Sequence, residues 1–171
     1  MSTDIEKLVR DAVSQIIAKD TVNAMTKIRE KKRIDAISLD DAKFLAEQVE
    51  KKAKEMGVNA VVAIADDGGN LKLCECMDNS YLASRDIAIN KAYTTVALKM
   101  STKKLAALAA PGGSLYGIQH TNGGKIVIFG GGDFLEVHGK IVGGLGVSGG
   151  SEEQDTALSA YGKKIFAEYF L

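Results

Sequence analysis

The sequence predicts an α+β domain built on an antiparallel sheet of about five strands flanked by helices, with a separate amphipathic helix ahead of it. Three observations carry that reading. Short apolar segments are joined by tight Asp/Asn/Gly-rich turns, which pairs consecutive strands antiparallel. Longer segments with apolar residues at helical spacing stand before, between and after them. The first 18 residues carry their own apolar stripe and are set apart by a charged stretch.

In residues 1–18, Ile5, Leu8, Val9, Ala12, Val13, Ile16 and Ile17 recur along one narrow helical face, and Asp4, Lys7, Arg10, Asp11 and Ser14 cover the other. A helix this short is marginal alone in water, so it is expected to order only on docking. Residues 19–37 are a polar linker in which Lys27, Arg29, Lys31, Lys32 and Arg33 cluster without interleaved aromatics. The folded domain is expected over residues 38–171.

That domain opens with a capping-box pattern, Ser38 with Asp41, and a helical face of Leu39, Ala42, Leu45, Ala46, Val49 and Ala53 that runs to Gly57. A hairpin follows: residues 58–65 are apolar and branched, residues 66–70 are Asp-Asp-Gly-Gly-Asn, and residues 71–77 alternate in part. Helices are expected over residues 84–100 and 103–109, closed by Pro111-Gly112-Gly113. Residues 117–120 and 125–129 read as further strands. Residues 134–137 and 140–147 form a hairpin across His138-Gly139. Ser151 with Gln154 caps a last helix that buries Leu158, Tyr161, Ile165 and Phe166.

Composition removes several classes. Lys and Arg number 22 against 22 Asp and Glu, so no basic excess exists to displace counterions from nucleic acid. No run of about twenty apolar residues spans a bilayer, and no secretory signal precedes the domain. Cys74 and Cys76, two residues apart on one strand face, suit a reducing cytoplasm rather than a disulfide. A lone Cys-x-Cys falls short of a zinc site, which takes four ligands.

The glycine-rich string at residues 143–150 lacks the Gly-Lys-Ser/Thr of a phosphate loop and the βαβ setting of a dinucleotide fingerprint. Backbone N–H groups over residues 148–153, at a helix N-terminus, leave an anion site as the alternative, although acidic Glu152, Glu153 and Asp155 already serve that helix dipole and would repel a phosphate. The string is therefore expected to allow close backbone approach, to a neighbouring subunit or to a flat ligand. His120 and His138 are the only imidazoles and so the first suspects for ligating iron. Lys91, mid-helix between Ile87 and Leu98, is either a snorkelling side chain or a polar group at a ligand or subunit interface. Ser148 lies in Val-Ser-Gly-Gly rather than a nucleophile elbow, and no catalytic constellation is visible.

Several strings together resemble a known family. They are residues 84–95 (SRDIAINKAYTT), 115–119 (LYGIQ), 128–132 (IFGGG), 139–150 (GKIVGGLGVSGG) and Glu153-Gln154-Asp155. In combination they resemble the GlcG/HbpS-like family, and within it the C-terminal domain of PduO-type cobalamin adenosyltransferases, over residues 38–171. The resemblance implies a profilin-like fold, homo-oligomers, and binding of heme or, second to it, a corrinoid. On it, Tyr116 and Lys91 join His120 and His138 as cofactor-binding candidates, the histidines as metal ligands. The adenosyltransferase activity belongs to another domain, to which nothing here is similar. The family commonly has proline soon after the glycine triplet; Asp133-Phe134-Leu135 stands there instead, making that edge more acidic. The first helix is similar to the encapsulation peptides of bacterial microcompartment enzymes. That implies a shell-protein partner through residues 1–18 and a place inside a microcompartment. The implied role is a heme-binding module linked to cobalamin-dependent metabolism, beside two alternatives: an assembly protein with a vestigial pocket, or an enzyme acting on corrinoid or redox cofactors.

Overall fold

The structure is a computed structural model and describes residues 36–170, which lie in one unit running from Ile34 to Leu171. Helix α1 spans Leu39–Glu55. Its N-terminus is closed by the expected capping box: the Asp41 amide donates to Ser38 Oγ, and the Ser38 amide donates to Asp41 Oδ2, both at 3.2 Å. Gly57, at φ +67°, ends it in the left-handed conformation that glycine adopts without penalty.

Strands β1 (Val61–Asp66) and β2 (Leu71–Cys76) form the first hairpin. Its turn is held by the Asp66 carboxylate, which accepts from the amides of Gly68 (3.0 Å) and Asn70 (2.9 Å). Helix α2 (Leu82–Leu98) and the short α3 (Thr102–Ala109) follow, then the second hairpin, β3 (Gly132–Val137) with β4 (Lys140–Ser148), and finally α4 (Glu152–Phe170). The sheet order is β2-β1-β4-β3, antiparallel throughout. Val142 is a bulge in β4: Leu135 pairs with Gly143, whereas Glu136 pairs with Ile141. The Val142 carbonyl is instead capped by the Ile37 amide at 2.9 Å.

Period-two alternation on the central strands sorts the core into two layers. Val62 and Ile64 of β1 and Leu145 and Val147 of β4 face α1 and α4, where Leu45, Val49, Leu158 and Phe166 are buried. Val61, Ala63 and Ala65 face Ala88 and Ala92 of α2. On that second face β4 offers Gly144 and Gly146, followed at its end by Ser148. A Cβ at Gly146 would lie 2.0 Å from the Ala88 carbonyl oxygen, and one at Gly144 would lie 2.4 Å from that of Ala92. The α2 backbone thus rests almost directly on the sheet, and these glycines serve a helix of their own chain rather than the neighbouring subunit or flat ligand expected of them.

Among the described residues the sheet has four strands, not about five. Residues 117–120 and 125–129 are not strands. Gly117 (φ +89°) turns the first into a 3₁₀ turn, Ile118–His120, and a second turn follows at Asn122–Gly124. Part of the polar backbone of the next segment is met by α2: Thr94 Oγ1 accepts from the Val127 amide (3.0 Å), and its one hydroxyl hydrogen is shared between the Asn90 carbonyl (2.7 Å) and the Lys125 carbonyl (3.2 Å). One threonine therefore takes the place of part of a ladder, and the apolar residues Ile126 and Val127 are buried without a partner strand. The targeting helix at residues 1–18 and most of the linker at 19–37 lie outside the described residues. No helix among the described residues is long and apolar enough to cross a membrane.

Candidate functional site

Among the described residues Lys91 is the largest side chain wholly removed from solvent, an unusual place for an ammonium group. Helix α2 carries it inward beside the end of β4, where Nζ donates to the Val147 carbonyl at 2.7 Å and to Asp155 Oδ2 at 2.8 Å. It also lies 4.9 Å from the centroid of the Phe129 ring. Asp155 sits in the first turn of α4, and its Oδ1 accepts from the Gly150 amide at 2.9 Å. One ion pair thus ties α2, the end of β4 and the start of α4. Burial holds the Lys91 ammonium below its ordinary titration range, and Asp155 opposes that shift. Gly131 is required beside it, since a Cβ there would lie 2.6 Å from Nζ.

A cleft of about 290 Å³ opens next to this pair. Its polar wall is Ser84, Ser148, Glu152 and Asp155; Tyr81, Ile87 and Phe129 supply apolar surface. Ser148 Oγ donates to Ser84 Oγ at 3.2 Å, both residues being buried. Glu152 Oε1 accepts from the Gly130 amide at 2.9 Å, which fixes the loop that carries Phe129.

The other residues singled out from the sequence lie elsewhere. Tyr116 is 67% exposed, and His120 is exposed in the following 3₁₀ turn, its Nε2 3.4 Å from Gln119 Nε2. His138 occupies the corner of the β3–β4 hairpin at φ +49° and is exposed. It lines a second cleft, of about 430 Å³, with Phe134, Glu136, Val137, Lys163 and Ala167. There the Lys163 ammonium stands 3.8 Å from the Phe134 ring centroid and 3.9 Å from Asp133 Oδ1. Burial raises the Asp133 carboxyl above its usual range, against a hydrogen bond from Ser159 and the charge of Lys163. The structure therefore does not gather the four candidates into one site: Lys91 is internal, Tyr116 and His120 share a surface loop, and His138 stands at a hairpin corner. Cys74 and Cys76 are free thiols; burial and the neighbouring Cys76 push Cys74 up to about 11. Among the described residues no three His, Cys, Asp or Glu side chains come together as a metal-binding group.

Sequence reasoning missed Asp155 as the partner of Lys91, together with Ser84, Phe129 and Glu152. A signal existed: a lysine inside an Ala/Thr helix face demands a buried anion, and Asp155 is the acidic residue of the α4 first turn one helical step beyond the exposed pair Glu152 and Glu153. Its position suggested service to the helix dipole alone.

Comparison with known proteins places these features in context. A family model described as "Haem degrading protein HbpS-like" matches residues 37–163. A 15.0 kDa protein from the dhaT–dhaS intergenic region of Citrobacter freundii is 44% identical over 136 residues, covering 80% of this chain and 96% of that one. The corrinoid adenosyltransferase PduO of Salmonella typhimurium is 40% identical over 124 residues, 72% of this chain, and the match spans only 37% of PduO's length. Among solved structures, a PduOC:heme complex superposes with a TM-score of 0.73 at 37% identity, covering 75% of this chain and 94% of that one.

Proposed function

This chain belongs to the HbpS-like family, and on that premise we propose that its folded domain binds heme, with His138 as the ligand to iron. The observation that carries the reading is the likeness to a domain crystallised with heme, at 37% identity over 75% of the chain. The residues at the β3–β4 corner fit such a group. An imidazole stands beside apolar Phe134, Val137 and Ala167, suited to a flat hydrophobic ring, and the Lys163 ammonium suits a carboxylate edge. Bound heme would supply an iron centre for redox or small-ligand chemistry. His138 would hold the iron, Phe134 and Ala167 would exclude water from one side, and Lys163 would orient the acidic edge. A corrinoid is the second cofactor in question, through the likeness to PduO.

The test is a hemin titration of the full chain, His138→Ala and His120→Ala, followed by the Soret band. Loss or displacement of the band in His138→Ala alone is expected. A change confined to His120→Ala moves the ligand to the Tyr116–His120 loop. Unchanged spectra in both refute imidazole ligation, and no Soret band in the parent chain refutes heme binding.

The wider setting follows the same likeness. Residues 1–18 address the domain, across the 19–37 linker, to a shell protein of a bacterial microcompartment serving cobalamin-dependent metabolism, and the domain of residues 38–171 assembles as a homo-oligomer. A stripe of seven apolar residues (Ile5, Leu8, Val9, Ala12, Val13, Ile16 and Ile17) supports a docking helix. Residues 1–19 fused to a fluorescent protein are expected to give puncta in cells making the compartment. Diffuse signal, unchanged by Leu8→Asp with Ile16→Asp, would refute the address. Light scattering that finds only monomer would refute the assembly.

A further inference from the structure

The cleft beside Lys91 and Asp155 is separate from the His138 corner, and its chemistry is of another kind. Three of its polar lining residues are almost wholly buried: Ser84 at 3%, Ser148 at 5% and Asp155 at 4% exposure. The two serine hydroxyls share one hydrogen bond, which leaves acceptor lone pairs on both oxygens. Asp155 receives Lys91 on one oxygen and the Gly150 amide on the other, and each carboxylate oxygen has room for a second donor. The wall is therefore rich in acceptors.

Charge points the same way. Lys91 cancels Asp155, and Glu152 leaves the cleft with one net negative charge. Three of the amides at the start of α4 already have acceptors within the chain: that of Gly150 in Asp155, that of Ser151 in Gln154 at 2.9 Å, and that of Gln154 in Ser151 Oγ at 3.3 Å. The remaining surface is aromatic and aliphatic, with Phe129 39% and Tyr81 71% exposed to whatever enters. Phe129 already has the Lys91 ammonium near its ring, 4.9 Å from the centroid, so a cation against this aromatic wall has a precedent within the site. A volume of about 290 Å³ lies at the lower end of small-molecule sites.

We infer that this cleft binds a small organic cation, a primary amine on a flat apolar body. The ammonium donates to Ser84, Ser148 and the Asp155–Glu152 side, and the flat body lies between Tyr81, Ile87 and Phe129. The buried ion pair then has a use beyond stability, to which such pairs add little over an apolar pair: it fixes Asp155 and the Gly149–Gly150 backbone at the cleft wall.

The test is an amide chemical-shift titration of the full chain with benzylamine, benzyl alcohol and benzoate, which share a ring and differ in charge. Benzylamine is expected to shift the amides of Phe129, Ser148, Gly149 and Gly150 saturably and more tightly than benzyl alcohol, while benzoate leaves them in place. Glu152→Gln keeps the acceptor for the Gly130 amide and removes one charge. It is expected to weaken benzylamine about fivefold, as for a partly exposed charge, and to leave benzyl alcohol unchanged. Tyr81→Ala, at an exposed position, is expected to weaken both. Equal response to benzoate and benzylamine, shifts scattered outside the cleft, or indifference to both substitutions would overturn the inference. His138→Ala is expected to leave the titration unaltered, so that failure here and failure of heme binding are told apart.

Discussion

Replacing Gly146 by alanine tests the packing on which the site is built. The added Cβ would lie 2.0 Å from the Ala88 carbonyl oxygen and 2.6 Å from the Ala92 amide nitrogen, where ordinary contact begins near 3.4 Å. Both obstacles are backbone, so no rotamer change relieves them, and α2 must retreat by more than 1 Å from the sheet. A gap of that size forfeits about a quarter to a half of the dispersion well for each contact it separates, and Val61, Ala63, Ala65, Ala88 and Ala92 all lie in that layer. Overpacking usually costs about 1–3 kcal/mol; with backbone on both sides the cost is set at about 3 kcal/mol or more. In urea denaturation, with m near 2 kcal/mol/M, the midpoint falls by about 1.5 M at unchanged slope. Gly139→Ala is the control. Its Cβ would meet nothing within 4 Å, so only the strain of φ +79° is at issue, about 1–2 kcal/mol. Ala88→Gly is expected not to rescue Gly146→Ala, since the clash is with the Ala88 carbonyl rather than its methyl. Gly146→Ala as stable as Gly139→Ala, or rescued by Ala88→Gly, would refute the reasoning.

Four other outcomes are expected. Lys91→Met leaves the Asp155 carboxylate buried without its cation and costs about 3–5 kcal/mol at neutral pH, most of which Lys91→Met with Asp155→Leu recovers; a double-mutant cycle by urea denaturation measures both. Because burial lowers the Lys91 titration below its unfolded value, the unfolded chain binds more protons in that alkaline window. Raising the pH through it therefore favours the folded parent relative to Lys91→Met, and a relative loss would contradict the assignment. Glu50 behaves oppositely: burial and the neighbouring Glu75 raise its carboxyl. Its charged form is disfavoured on folding, so Glu50→Gln stabilises above that raised range, by less than about 0.5 kcal/mol after solvent screening, with no gain in acid; thermal melts across pH read it. Finally, iodoacetamide at pH 8 is expected to label exposed Cys76 before Cys74, whose thiol titrates at about 11, as fragment masses would show.

Much of the fold was legible because each element advertised itself locally. Ser38 with Asp41 and Ser151 with Gln154 both close as capping boxes, and the Asp66–Asn70 and His138–Gly139 turns join antiparallel strands as their residue types require. The strands read into residues 117–120 and 125–129 failed for a non-local reason. Ile126 and Val127 have strand-like composition and are buried, yet the Val127 amide is answered by Thr94, some thirty positions away on α2. Burial without a ladder leaves the same apolar signature as burial within one. The candidate site was half legible. Lys91 stood out as a charge on an apolar helix, but its partner Asp155 is 64 residues away and sits where an acidic residue already has a local purpose.

The glycine string shows why spacing outweighs composition. Read as a run, residues 143–150 suggest one flexible or ligand-approaching loop; read with period two, they separate into different tasks. Gly144 and Gly146 point one way, and their missing side chains are the room in which α2 lies. Leu145 and Val147 point the other way and complete the core against α1 and α4. Gly149 then lets the chain pass the Asn59 carbonyl, which a Cβ would approach to 2.4 Å, and Gly150 presents its amide to Asp155. Close packing of α2 brings Lys91 to the Val147 carbonyl, and the Gly149–Gly150 passage brings Asp155 to Lys91. The same string that seats the helix therefore also builds the wall of the cleft. A substitution at Gly146 should accordingly disturb ligand binding there as well as stability, although Gly146 itself does not line the cleft.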